Sequence, residues 1–129
     1  MSLQIIKQGL QVLDIEANAI LALKDRLDES FVQAVQTIKE CRGKLIITGM
    51  GKSGQIARKM ASTFSSTGTP SVFVHPAESA HGDLGIIVDG DVIIALSYGG
   101  ESPELAPILS FAVRKNIPVI AITGNANST

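Results

Sequence analysis

Four short apolar runs punctuate the chain from residue 44 onward: KLIIT (Lys44 to Thr48), SVFV (Ser71 to Val74), DVIIALS (Asp91 to Ser97) and PVIAIT (Pro118 to Thr123). All four read as strands, and KLIIT, a short β-branched apolar run, as one buried on both faces. Helical periodicity lies between them. Strands alternating with helices specify a parallel sheet covered on both sides, a three-layer α/β sandwich joined by right-handed crossovers. A flavodoxin-like order would set the first and third strands side by side. Ligands of such sheets bind beyond the carboxyl ends of the strands, where the strand order reverses.

The helices can be read individually. Ser53 to Ser66 carries Ile56, Met60 and Phe64 on one face and is stopped by Gly68 and Pro70. Ser102 is placed to cap another helix, with Pro103 in its first turn and Leu105, Ile108, Leu109, Ala112 and Val113 as its buried stripe. Two helices precede the first strand. Leu3 to Leu27 repeats apolar residues at three- and four-residue spacing, with extra ones at Ile5, Val12, Ile15, Leu21 and Leu23. That stripe is broader than one packing surface needs, so it either crosses the domain or also meets a second subunit. The next helix starts at Ser30, whose spacing to Gln33 is that of a capping box, turns Phe31, Ala34, Val35 and Ile38 inward, and ends near Gly43. The division expected is residues 1–42 as helices and 43–129 as the α/β domain.

Composition narrows the function. The 129 residues suffice for one domain with a real core, and 45% hydrophobic with 18% charged residues is ordinary globular content. A net charge of -1 gives no footing for nucleic acid or an anionic membrane. The single cysteine, Cys41, excludes an internal disulfide and reads as buried filler. No run has the length of a membrane span, and the N-terminus lacks a signal peptide's layout, so the expected setting is cytoplasmic.

Chemistry concentrates in two loops. ITGMGKSGQIARK (Ile47 to Lys59) follows the first strand, and SYGGESPE (Ser97 to Glu104) follows the third. The first supplies the end of an ATP-binding P-loop in Gly51-Lys52-Ser53, but Ile46, inside the strand, stands where that motif needs its first glycine. Gly49, Gly51 and Gly54 satisfy the dinucleotide spacing, yet the second strand ends in His75 where a ribose-binding acid belongs. A phosphomonoester fits both loops at once. Two helix N-termini would face one crevice, with Ser53, Ser97 and Ser102 as further donors and Lys52 as a positive charge. A small sugar phosphate is the expected ligand.

GMGKSGQIARKMASTFSSTGTPSVFVHPAESAHGDLG, with GKSG, STGTP and HPAE-x-x-HGDLG inside it, resembles the bacterial arabinose-5-phosphate isomerase family and its sugar isomerase (SIS) fold. The resemblance runs from about Gly43 to Gly124. It implies phosphate binding by Ser53, Ser97 and Ser102 with Gly51, Gly99 and Gly100 around them, a catalytic or substrate-orienting Lys52, and His75, His81 and Glu104 beside the sugar. SIS loops usually read S-x-S-G, so Tyr98-Gly99 removes one hydroxyl and implies altered phosphate contact. The implied reaction interconverts D-arabinose 5-phosphate and D-ribulose 5-phosphate, feeding lipopolysaccharide or capsule sugar synthesis. The alternative is a non-catalytic sugar-phosphate-binding SIS module, as in some transcriptional regulators.

Such an isomerisation moves a proton between C1 and C2 through an enediolate. It asks for a general base and an electrophile but no cofactor and no metal. Glu104 is either that base or a carboxylate favoured by a helix dipole; Lys52 is placed to face the enediolate. His81 would hydrogen-bond a sugar hydroxyl or shuttle its proton. His75 and His81 with Glu78 and Asp83 match no standard zinc spacing. Tyr98, the only tyrosine, is expected packed or half exposed. The resemblance also implies a domain continuing past Thr129 with a further helix, a fifth strand and often paired CBS domains. The present sheet should then leave an unpaired edge, and a homo-oligomer (dimer or tetramer) is expected.

Overall fold

The computed structural model describes residues 1–79 and 83–125. The chain divides into two units, Met1–Val35 and Gln36–Thr129. In the first, helix α1 spans Ser2–Ala22 and tightens into a 3₁₀ turn over Leu23–Asp25, ending sooner than its apolar stripe. An Arg26 N–H to Leu23 carbonyl bond closes that turn, a common way to finish a helix. No residue of α1 is buried. Helix α2, Glu29–Lys39, begins one residue before Ser30. The capping acceptor is Asp28, whose Oδ1 receives the Ser30 N–H at 3.0 Å and the Ser30 hydroxyl at 2.6 Å. A carboxylate is the stronger acceptor for the positive end of a helix, so the Ser30 hydroxyl turns back to it as a donor. The Ser30 hydroxyl and N–H hold the Asp28 carboxyl below the usual range. Phe31 and Val35, expected inside, are 51% and 40% exposed.

The second unit holds the sheet. Its strands are β1 (Leu45–Gly49), β2 (Ser71–Phe73), β3 (Val92–Leu96) and β4 (Val119–Ile122), all parallel and ordered β2-β1-β3-β4. The flavodoxin-like expectation holds, and β1 lies beside β3 with Thr48 opposite Ala95. Helix α3 (Gly51–Ser66) covers one face, where Ala57 and Ala61 meet Leu45, Ile47, Val92, Ile94 and Leu96. Helix α5 (Ala106–Lys115) is on the other, where Ile108 and Ala112 meet Ile46 and Ile93. The short α4 (Pro76–Ser79) follows β2. Each fully buried Ile or Leu contributes roughly 1.5–3 kcal/mol, so this two-sided burial is the main support of the unit.

Two readings of helix faces change. The buried stripe of α3 is Gly54, Ala57 and Ala61, while Ile56 is 57% exposed. A Cβ on Gly54 would stand 2.6 Å from the Gly49 carbonyl, so the helix rides too close to β1 for large residues on that stripe. On α5, Val113 is 77% exposed because the sheet is met by Leu105, Ile108 and Ala112. β4 is the expected edge, with Val119 39% and Ile122 47% exposed.

At the amino ends of the strands Asp91 is buried and ties three segments together. It accepts hydrogen bonds from the Lys44 ammonium at 2.8 Å, the Lys44 N–H at 2.9 Å and the Val88 N–H at 2.9 Å. Burial pushes its carboxyl up, but the bonds from Lys44 and Val88 and the Lys44 charge outweigh burial and hold it below the usual carboxylate range.

Candidate active site

β1 ends in Thr48-Gly49, and Met50 turns the chain directly into α3. The helix starts earlier than the expected Ser53, so Gly51, Lys52 and Ser53 form its first turn rather than a loop before it. Gly51 sits at φ +55°, a left-handed conformation that glycine adopts without steric cost. The first backbone N–H groups of a helix lack intrahelical acceptors and carry its positive end, so this turn is a ready anion site.

The second loop is built around Ser97. This residue is 9% exposed, and its N–H donates to the Ile122 carbonyl at 3.0 Å, carrying the β3–β4 ladder one residue past the strand. Its Oγ lies 2.9 Å from Ser102 Oγ and accepts the Gly100 N–H at 3.1 Å. Ser102 precedes a 3₁₀ turn (Pro103–Leu105) but makes no side-chain cap bond; its hydroxyl faces Ser97 instead. Among the described residues Gly99 has nothing within 4 Å of where a Cβ would stand.

Lys52, Ser53 and Ser97 line one crevice of about 280 Å³ at the carboxyl ends of the strands. Ile56, Leu96 and Ile122 make its apolar floor, and Tyr98, Thr123 and Gly124 complete the wall. Tyr98 is 87% exposed rather than packed or half exposed, and its carbonyl accepts the Gly124 N–H at 2.9 Å. Ser102, Glu104 and His75 are not among the lining residues. Glu104 is exposed in the Pro103–Leu105 turn. His75 accepts the Ala77 N–H on Nδ1 at 3.1 Å, which leaves the ring proton of the neutral form on Nε2. His81 lies outside the described residues. A second depression, about 300 Å³, lies at the amino ends of the strands around Cys41, Arg42 and Asp91, the end where parallel sheets do not place their ligands.

The sequence reading missed Thr123 and Gly124. Their signal was present as a repeated tripeptide, Ile47-Thr48-Gly49 at the end of β1 and Ile122-Thr123-Gly124 at the end of β4.

Comparison with known proteins identifies the family and the fold. The SIS domain pattern matches residues 37–129. The chain is 47% identical over 121 residues to the arabinose 5-phosphate isomerase KdsD of Escherichia coli K12, covering 94% of this chain and 37% of that one. It therefore spans little more than a third of that relative's length. Among solved structures, a putative phosphosugar isomerase involved in capsule formation from Bacteroides fragilis aligns with a TM-score of 0.90 at 40% identity, covering 96% of this chain and 67% of that one. An Escherichia coli CFT073 protein in complex with arabinose 5-phosphate aligns at 0.90 and 36% identity, covering 98% and 67%. The parallel sheet, the paired loops at its carboxyl ends and the match over residues 37–129 lead to one conclusion: the chain belongs to the SIS-domain family.

Proposed function

We propose that the chain binds a pentose 5-phosphate, D-arabinose 5-phosphate or D-ribulose 5-phosphate, and isomerises one to the other through an enediolate. The observation that carries this reading is the single crevice lined by Lys52, Ser53 and Ser97 at the ends of β1 and β3. In it the phosphate lies between the first turn of α3, with Gly51 and Ser53, and the Ser97–Ser102 loop, with Gly99 and Gly100. The Lys52 ammonium faces the oxyanion that develops as C1 and C2 exchange a proton. Glu104, two residues beyond Ser102, is the candidate base; His75 and His81 are kept beside the sugar as the resemblance implies. The apolar floor keeps water from the developing charge and strengthens the lysine's effect. Likeness to KdsD and to the protein solved with arabinose 5-phosphate supports the choice of sugar.

One observation favours the alternative, a module that binds the sugar phosphate without turning it over: Glu104 does not line the crevice. Thermal melts separate the classes of ligand. Arabinose 5-phosphate at about a hundred times its Kd should raise the melting temperature by roughly 10 °C, with no shift from NAD or ATP. A shift with NAD in place of the sugar phosphate overturns the proposal. Binding without conversion to ribulose 5-phosphate decides for the non-catalytic module.

The chain is also proposed to self-associate through α1. Nine of its large apolar side chains, from Leu3 to Leu21, are each 54–66% exposed, more continuous apolar surface than a monomer leaves in water. Pairing two copies antiparallel brings Lys7 of each opposite Asp14 of the other, since both stand on the same flank of the apolar stripe, so the second copy matches the helix in charge as well.

A further inference from the structure

Thr48, the penultimate residue of β1, is fully buried, and its Oγ1 has no hydrogen-bond partner among the described residues. Valine would fill the same space without burying a hydroxyl, so the polar atom is destabilising unless something meets it. Its direction follows from the pleat. Leu45 and Ile47 pack on the α3 side and Ile46 on the α5 side, so alternation turns Thr48 toward the α5 side. On β3 the α5-side residue is Ile93, and steps of two lead through Ala95 to Ser97, where the ladder bond to Ile122 keeps the pleat. Thr48 and Ala95 are register partners, so Ser97 is the diagonal neighbour of Thr48 on the same face, past only the methyl of Ala95.

A serine hydroxyl has one donor and two acceptor positions. The Gly100 N–H and the Ser102 hydroxyl occupy two of those on Ser97, which leaves one open. Two hydroxyls on diagonal neighbours are farther apart than a direct bond and near enough for one water to join them. We propose that Thr48 is a positioning residue: through one bridging water it holds Ser97 in the rotamer that gathers Gly100 and Ser102 into a phosphate-binding loop. The inference rests on the reading that this loop receives the phosphate of the ligand.

Calorimetric titration of the full chain with arabinose 5-phosphate and with inorganic phosphate tests it, using Thr48→Val and Thr48→Ser. The expected result is affinity about fivefold to tenfold weaker in Thr48→Val and close to wild type in Thr48→Ser, because serine keeps the hydroxyl and loses only a methyl. The melting temperature of Thr48→Val without ligand should not fall, since the lost group serves the loop and not the core. Equal affinity in Thr48→Val and wild type, or equal weakening in both variants, overturns the role of Thr48 while the sugar-phosphate reading stands. A wild-type chain that binds neither ligand overturns that reading, and the role of Thr48 with it.

Discussion

At Gly99 the loop has room and an ordinary backbone. Among the described residues a Cβ there meets nothing within 4 Å, and the residue is not one of the glycines at positive φ. Serine therefore fits without moving the chain and adds one hydroxyl beside the Gly100 N–H. If the phosphate sits on this loop, Gly99→Ser should tighten sugar-phosphate binding by about threefold to tenfold in a calorimetric titration, as one added hydrogen bond to an anion does. Unchanged affinity would move the phosphate away from the loop. Lys52, Ser53 and Ser97 were legible as candidates because they stand in glycine-containing segments just after a strand. The partner of Ser102 was not. Its place before Pro103 looks like a cap, and only the approach of Ser97 from five residues back redirects its hydroxyl.

Among the elements, the amino ends of β1 and β3 are held by Asp91, whose side chain is 1% exposed against 28% for Lys44. Asp91→Asn keeps the shape but removes the charge that Lys44 and two backbone N–H groups meet, and should cost about 2 kcal/mol at pH 7. The pH dependence has a definite sign. A carboxyl held below its unfolded value contributes stability that is complete above about pH 4 and is lost as pH falls through the folded value. Urea midpoints of wild type and variant should therefore differ at pH 7 and converge as the pH is lowered below about 4; a constant difference would mean the charge is not what Asp91 supplies. The strands were legible to within a residue or two because continuous apolar runs admit little else. Helix faces were less so. Periodicity offered Ile56 and Val113 as core, but the close approach of α3 at Gly54 selects small residues, and a face wider than its contact leaves its flanks exposed.

For the molecule as a whole, the proposed assembly has a direct test. Leu10→Glu together with Leu13→Glu puts charges in the middle of the α1 stripe and should reduce a sedimenting dimer or tetramer to a monomer at micromolar concentration. A wild-type chain that already sediments as a monomer overturns self-association.

Local patterns in the amino-acid sequence were enough to specify a parallel α/β sheet over residues 44–123 with two glycine–serine loops at its carboxyl ends. Burial on both faces, strand-ending glycines and helix-starting hydroxyls are local constraints, written in neighbouring residues. The sequence was also enough to point to the SIS family. It took the packed fold to show which of the site residues share a crevice, that Thr123 and Gly124 join them after β4, that the Ser102 hydroxyl turns to Ser97, and that Thr48 is buried with its hydroxyl unmatched among the described residues. These depend on which strand lies beside which and in what register. Register is set by packing between segments far apart in the chain, and no local pattern encodes it.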